Sequence, residues 1–152
     1  ASVSVNARVM SPRTGIGRFV FDASGVSRYR NYLRATTYLG GATRLRGYPS
    51  NYFAGKDAMA YNLEFRTRPI EILSCQFGAV AFIDAGDAFD GWSARRMHFG
   101  TGGGIRALLP ALDRSVFRVD VGVPIGNVPA GVPPVAVTVA FAQAFGVATV
   151  GP

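Results

Sequence analysis

The feature that most constrains this chain is a two-residue alternation with all the bulk on one parity. Val116–Val123 sets Phe117, Val119, Val121 and Val123 against Arg118, Asp120 and Gly122. Ala58–Thr67 sets Met59, Tyr61, Leu63 and Phe65 against Ala60, Asn62, Glu64 and Arg66. Side chains on a strand alternate between two faces, so each run reads as a strand with one bulky apolar face. The same rhythm marks Ser2–Val9, Gly17–Ala23, Asn31–Leu39, Gln76–Ala85, Phe99–Leu108 and Val135–Phe145, which makes about eight strands. Ser11-Pro12, Asp90-Gly91, Pro110, Gly126-Asn127 and Pro133-Pro134 punctuate them as turns. Val135–Val150 is almost wholly apolar but too short for a spanning helix, and its bulk sits on odd positions, which favours a strand.

The second face decides the environment. It carries glycine, alanine and threonine with isolated Arg, Asp and Glu, as a crowded, charge-paired interior would. The large Val, Leu and Phe side chains then face outward, toward lipid. Phe117, Val119, Val121, Val137, Val139 and Phe141 are the expected lipid contacts. In lipid every backbone amide must be paired, so the sheet is expected to close. Tyr48, Tyr52, Phe53, Phe89 and Trp92 cluster near loops, where an aromatic girdle would sit. The fold expected is therefore all-β: a closed antiparallel transmembrane β-barrel of about eight strands, one domain over residues 1–152. A soluble small β-barrel binding an apolar small ligand is the alternative.

Charged residues make up 16% of the chain, below the ~25% of an average soluble domain. The net charge of +7 raises nucleic acid as a partner. The arginines, however, lie singly along alternating segments instead of forming a basic patch, so none is expected. A lone Cys75 leaves no internal disulfide and no thiolate cluster. Asp84, Asp87 and Asp90 are spaced by three, whereas a calcium loop wants ligands two apart and a later glutamate, so no metal is expected. Gly100–Ile105 fails the dinucleotide pattern at Ile105, and no cofactor is expected. His98 is the single histidine and no serine sits in a nucleophile motif, so the chain reads as non-enzymatic.

One connection stands apart: Leu39-Gly40-Gly41-Ala42-Thr43-Arg44-Leu45-Arg46-Gly47-Tyr48-Pro49. It offers a permanently charged guanidinium beside a glycine and a tyrosine, and guanidinium pairs best with carboxylate. Phe82-Ile83-Asp84-Ala85-Gly86 supplies one, so the loop is expected to fold back into the barrel and dock there.

Taken in order, these stretches resemble the C-terminal barrel half of the bacterial surface-antigen superfamily. That superfamily holds the BamA-like outer-membrane assembly proteins and the two-partner secretion transporters. Leu39-Gly40-Gly41 with Arg46-Gly47-Tyr48 resembles its sixth extracellular loop. Asn62–Arg66, Phe82–Gly86, Gly102–Arg106 and Arg118–Ile125 resemble successive strands of it. Phe141, Gln143 and Phe145 resemble the terminal signal by which outer-membrane strands are recognised for insertion. The resemblance implies a lumenal contact of Arg46 with Asp84, Phe82 and Glu64, in a motif completed by Gly47, Tyr48 and Gly86. It implies a bacterial outer-membrane location and a role in outer-membrane protein assembly or transport. The implied partners are outer-membrane lipids, the barrel assembly machinery during insertion, and client proteins. Full members have about sixteen strands behind soluble domains. This chain is thus expected to be either a complete short relative, without room for a channel, or the last half of a larger barrel.

Overall fold

A computed structural model describes residues 1–42, 44–109 and 115–143. It is all-β. Strands β1 (Ser2–Met10), β2 (Gly17–Arg28), β5 (Asp57–Thr67), β7 (Cys75–Phe89), β8 (His98–Leu109), β9 (Ser115–Ile125) and β10 (Ala136–Gln143) form one antiparallel meander in that order. Short β6 (Ile70–Ile72) extends the β7 edge. Strands β3 (Thr37–Leu39) and β4 (Phe53–Gly55) pair in a separate ribbon. Among the described residues β1 and β10 are the two ends of the sheet, and neither pairs with the other.

The register keeps each face uniform. Phe19 lies opposite Phe65, Phe21 opposite Leu63, and Phe117 opposite Phe141. These residues line the convex face with Ile83, Ile105, Val137 and Val139, and all but the half-buried Phe65 are exposed. The concave face receives Asn62 opposite Asp84, Glu64 opposite Phe82 and Gly104 opposite Asp120. Four of its polar residues are buried, Asn62, Glu64, Asp84 and Asp120, while Asn6 and Arg8 on β1 are exposed. Polarity is thus reversed relative to a water-soluble sandwich, where the charged face is the wet one.

The two sheet ends differ in their connections. At one end β1 and β2 join through 11–16, and β5 and β7 through 68–74. At the other the links are long: 29–56 with its two short strands, 90–97 and 126–135.

Two expectations fail here. Asn31–Leu39 is not a sheet strand; only Thr37–Leu39 is extended, and it pairs with β4. Asn31 takes both backbone groups of Ala35, its Nδ2 donating to the carbonyl at 2.7 Å and its Oδ1 accepting from the amide at 2.9 Å. Arg30 and Arg34 adopt φ of 50° and 49°. A local side-chain turn outcompetes the ladder, and Leu33 is left 93% exposed. The girdle also fails for Tyr48, Tyr52, Phe53 and Phe89. Tyr48 is 1% exposed and packs on Tyr52 and Phe53 within the concavity, and Phe89 is buried. Trp92 is exposed beside Phe89. Pro110 and Phe145 lie outside the described residues.

Candidate functional site: a loop clamped in the concave face

The connection from β3 to β4 turns inward at Gly40 and Gly41, whose φ values of 123° and 86° suit glycine. It doubles back through a bridge between Gly41 and Leu45, and the Gly41 amide donates to the Tyr48 carbonyl at 3.1 Å. Leu45 and Tyr48 then bury against Leu39 and Ala60 as the small apolar core of the concavity. Gly47 has φ 101°, and a Cβ there would stand 2.9 Å from the Val123 carbonyl carbon. Opposite it, a Cβ on Gly122 would stand 2.6 Å from the Gly47 amide nitrogen. Glycines on both sides let loop backbone lie directly on strand backbone.

That approach carries Arg46 into a cage. Its Nε and Nη2 donate to the two Asp84 oxygens, each at 2.7 Å, and its backbone amide donates to Asp84 Oδ2 at 3.0 Å. Its Nη1 donates to Glu64 Oε1 at 2.6 Å and stands 3.9 Å from Asp120 Oδ2. The guanidinium carbon lies 3.6 Å from the centre of the Phe82 ring. A fork over two carboxylates with an aromatic face beneath uses all the special chemistry of arginine. Burial alone would lower the Arg46 pKa; hydrogen bonding and charge from Asp84, then Glu64, more than reverse this and hold it charged.

A second layer of ions continues across β8 and β9. Arg106 and Arg118 face one another in the register, a repulsive pair in isolation. Asp120 resolves it, accepting from Arg106 Nη1 at 2.5 Å and Arg118 Nε at 2.6 Å. Glu64 likewise holds Arg66, whose Nε donates at 2.8 Å. Strand side chains grip the loop backbone too: Asn62 Nδ2 donates to the Arg44 carbonyl at 2.5 Å and Arg118 Nη2 to the Ala42 carbonyl at 2.8 Å. Tyr48 donates its hydroxyl to the Phe99 carbonyl at 3.1 Å. Burial raises the Tyr48 phenol above its ordinary range, against the opposing pull of that bond.

Of the residues singled out from sequence, Arg46, Gly47, Tyr48, Glu64, Phe82 and Asp84 come together here. Gly86 does not join the charges; it lies under Leu39, whose Cδ2 would meet a Cβ at 2.8 Å. Phe141 is exposed on the convex face near the end of β10. Gln143 pairs in register with Ser115. Sequence reasoning missed Asp120, Arg106 and Arg118 as members of the network. The signal was available: Arg118 and Asp120 share a strand face, and Arg106 has the inward parity of β8. Asp84, Asp87 and Asp90 take separate partners, namely Arg46, the Arg96 amide and the Lys56 amide. Every carboxylate of the cage is engaged by guanidinium, so the arrangement acts as a clamp on the loop.

Comparison of the chain with protein-family models, with curated proteins and with solved structures found no match.

Proposed function

We propose that this chain is a wall segment of a closed transmembrane β-barrel in the bacterial outer membrane, of the surface-antigen type, non-enzymatic and serving outer-membrane protein assembly or transport. The observation that carries this reading is the reversed polarity of the sheet. Large apolar side chains are exposed over the convex face while buried ion pairs occupy the concave one. Water would reward the opposite arrangement, and a bilayer outside with a polar lumen rewards this one. Connection lengths fit the same picture, because outer-membrane barrels have short periplasmic turns and longer outer loops.

The wall needs more strands than this meander supplies. A ring of about eight strands has an interior just wide enough for side chains or one small ligand. Here the concavity accepts loop backbone, at Gly41 and from Leu45 to Tyr48, as well as side chains. Edges β1 and β10 therefore pair with further strands in the membrane, where unpaired amides are costly. The partners of this reading are outer-membrane lipids, the assembly machinery acting on the terminal segment with Phe141, Gln143 and Phe145, and client proteins.

The test of topology uses depth quenching. In a Trp92→Phe background, a tryptophan at Val139 should be quenched by lipids brominated on their acyl chains, and one at the adjacent Thr138 should not. Equal quenching at both sites, or at neither, refutes the bilayer-facing assignment. Closure is tested with cysteines at Val5 and Val139 in a Cys75→Ser background; an efficient cross-link within one chain refutes the wider wall. The role is tested by removing the chain from its host, and unchanged levels of every other outer-membrane and surface-delivered protein refute it.

A further inference from the structure

The clamped loop does not fill the concavity. It sits against β5, β7, β8 and β9, and a chamber of about 580 Å³ remains beside it, reaching β1 and β2. Asn6, Arg8, Asp22, Arg44, Glu64 and Arg118 are among its lining residues. A space of this size is in the range of small-molecule sites, but its walls are polar where such sites are usually apolar.

The chamber is also unbalanced in charge. Among the described residues, the concave network holds six guanidiniums, Arg8, Arg44, Arg46, Arg66, Arg106 and Arg118, against four carboxylates, Asp22, Glu64, Asp84 and Asp120. The carboxylates are already engaged. Asp22 accepts from Arg8 Nε at 2.7 Å, and Glu64 serves both Arg46 and Arg66. The surplus donors both rest on β2, at Ser24 and Asp22, two residues apart on one face. Arg44, on the loop, has the Ser24 hydroxyl as its hydrogen-bond partner among the described residues, with Nη1 at 2.8 Å. Arg8, on β1, spends Nε on Asp22 and, among the described residues, has both terminal nitrogens left. Guanidinium forks with free N–H groups select oxyanions, which can take two parallel bonds from each.

We propose that this chamber is an oxyanion-binding site, with Arg44 and Arg8 as its two cationic donors. The shared chemistry is a ligand carrying at least two carboxylate groups, whether side chains of an acidic polypeptide or a small free polycarboxylate. The inference stands on the chamber and its unspent donors and does not require a transport role.

The test is calorimetric titration of the full chain, folded in detergent at low ionic strength, with hexaglutamate, with citrate and with hexalysine. Hexaglutamate or citrate should bind, and hexalysine should not. Tighter binding of hexaglutamate assigns a polypeptide source, and tighter binding of citrate a small free anion. Arg44→Gln and Arg8→Gln should each weaken binding about tenfold or more, as loss of a charge-assisted contact does. Asp22→Asn should tighten it, since that change releases Arg8 and removes a competing carboxylate. Arg95→Gln, at an exposed arginine beside Trp92, should leave it unchanged. Binding of hexalysine equal to that of hexaglutamate, no binding of either anion, or insensitivity to both arginine changes overturns the proposal. If an arginine variant fails to fold, the opposite-signed Asp22→Asn effect and the hexalysine comparison still decide the matter.

Discussion

Deleting the loop arginine should cost more than deleting its main carboxylate partner, and the two deletions should be strongly coupled. Arg46→Ala removes two bonds to Asp84 and one to Glu64, together with the stack on Phe82. It leaves Asp84, which is 0% exposed, holding only a backbone amide among the described residues. Removing one member of a buried ion pair costs about 3–5 kcal/mol, mostly through the charge left behind. Asp84→Ala is milder by structure. Arg46 keeps Glu64 at 2.6 Å and has Asp120 at 3.9 Å, so it is not stranded. Its cost should be about 1.5–3 kcal/mol, in the range of charged hydrogen bonds. In the double variant the stranded Asp84 charge is gone, so the sum of the single costs should exceed the double cost by more than ~1 kcal/mol. The assay is reversible urea unfolding in detergent micelles, followed by circular dichroism and by Trp92 emission. Additivity within ~0.5 kcal/mol, or a larger cost for Asp84→Ala than for Arg46→Ala, would refute the clamp.

Gly122→Ala should unseat the loop, because the added methyl meets the Gly47 amide at 2.6 Å; protease cutting between Gly40 and Tyr52 should rise, while Gly25→Ala, with its nearest neighbour at 3.9 Å, should match the wild type. Val121→Arg places a charge on the convex face and should cost roughly 2–4 kcal/mol of folding stability in bilayers, measured by lipid-vesicle refolding; an unchanged midpoint would mean that this face does not meet lipid. Tyr48 has a raised phenol pKa, so the unfolded phenol ionises first: its stabilising contribution is complete below about pH 10 and falls as pH rises past it. The wild type should therefore lose more stability than Tyr48→Phe between about pH 9 and about pH 12 in denaturant titrations, and parallel curves would contradict the buried-phenol account.

Much of the wall was legible in the residues themselves. Seven of the eight alternating segments are strands of the meander, and most of their bulky side chains lie on the convex side, with Val80 and Phe82 of β7 turned inward. That follows because a strand has only two faces, so the composition of each parity reports directly on its surroundings. The Arg46–Asp84 contact was also readable, since an arginine flanked by Gly47 in a glycine-rich loop and an inward carboxylate each need the other. Three matters belonged to the tertiary structure. Asn31–Leu39 alternates like a strand, but the Asn31 side chain captures the Ala35 backbone and ends the ladder. Tyr48 and Phe53 read as interfacial aromatics, yet the glycine contacts at Gly47 and Gly122 draw the loop so deep that they pack inside. Asp120 joins the cage because β8 sets Arg106 opposite Arg118, and no single strand announces what its neighbour will place across from it. Parity is a property of one segment, whereas register, loop depth and the pairing of edges depend on which segments meet.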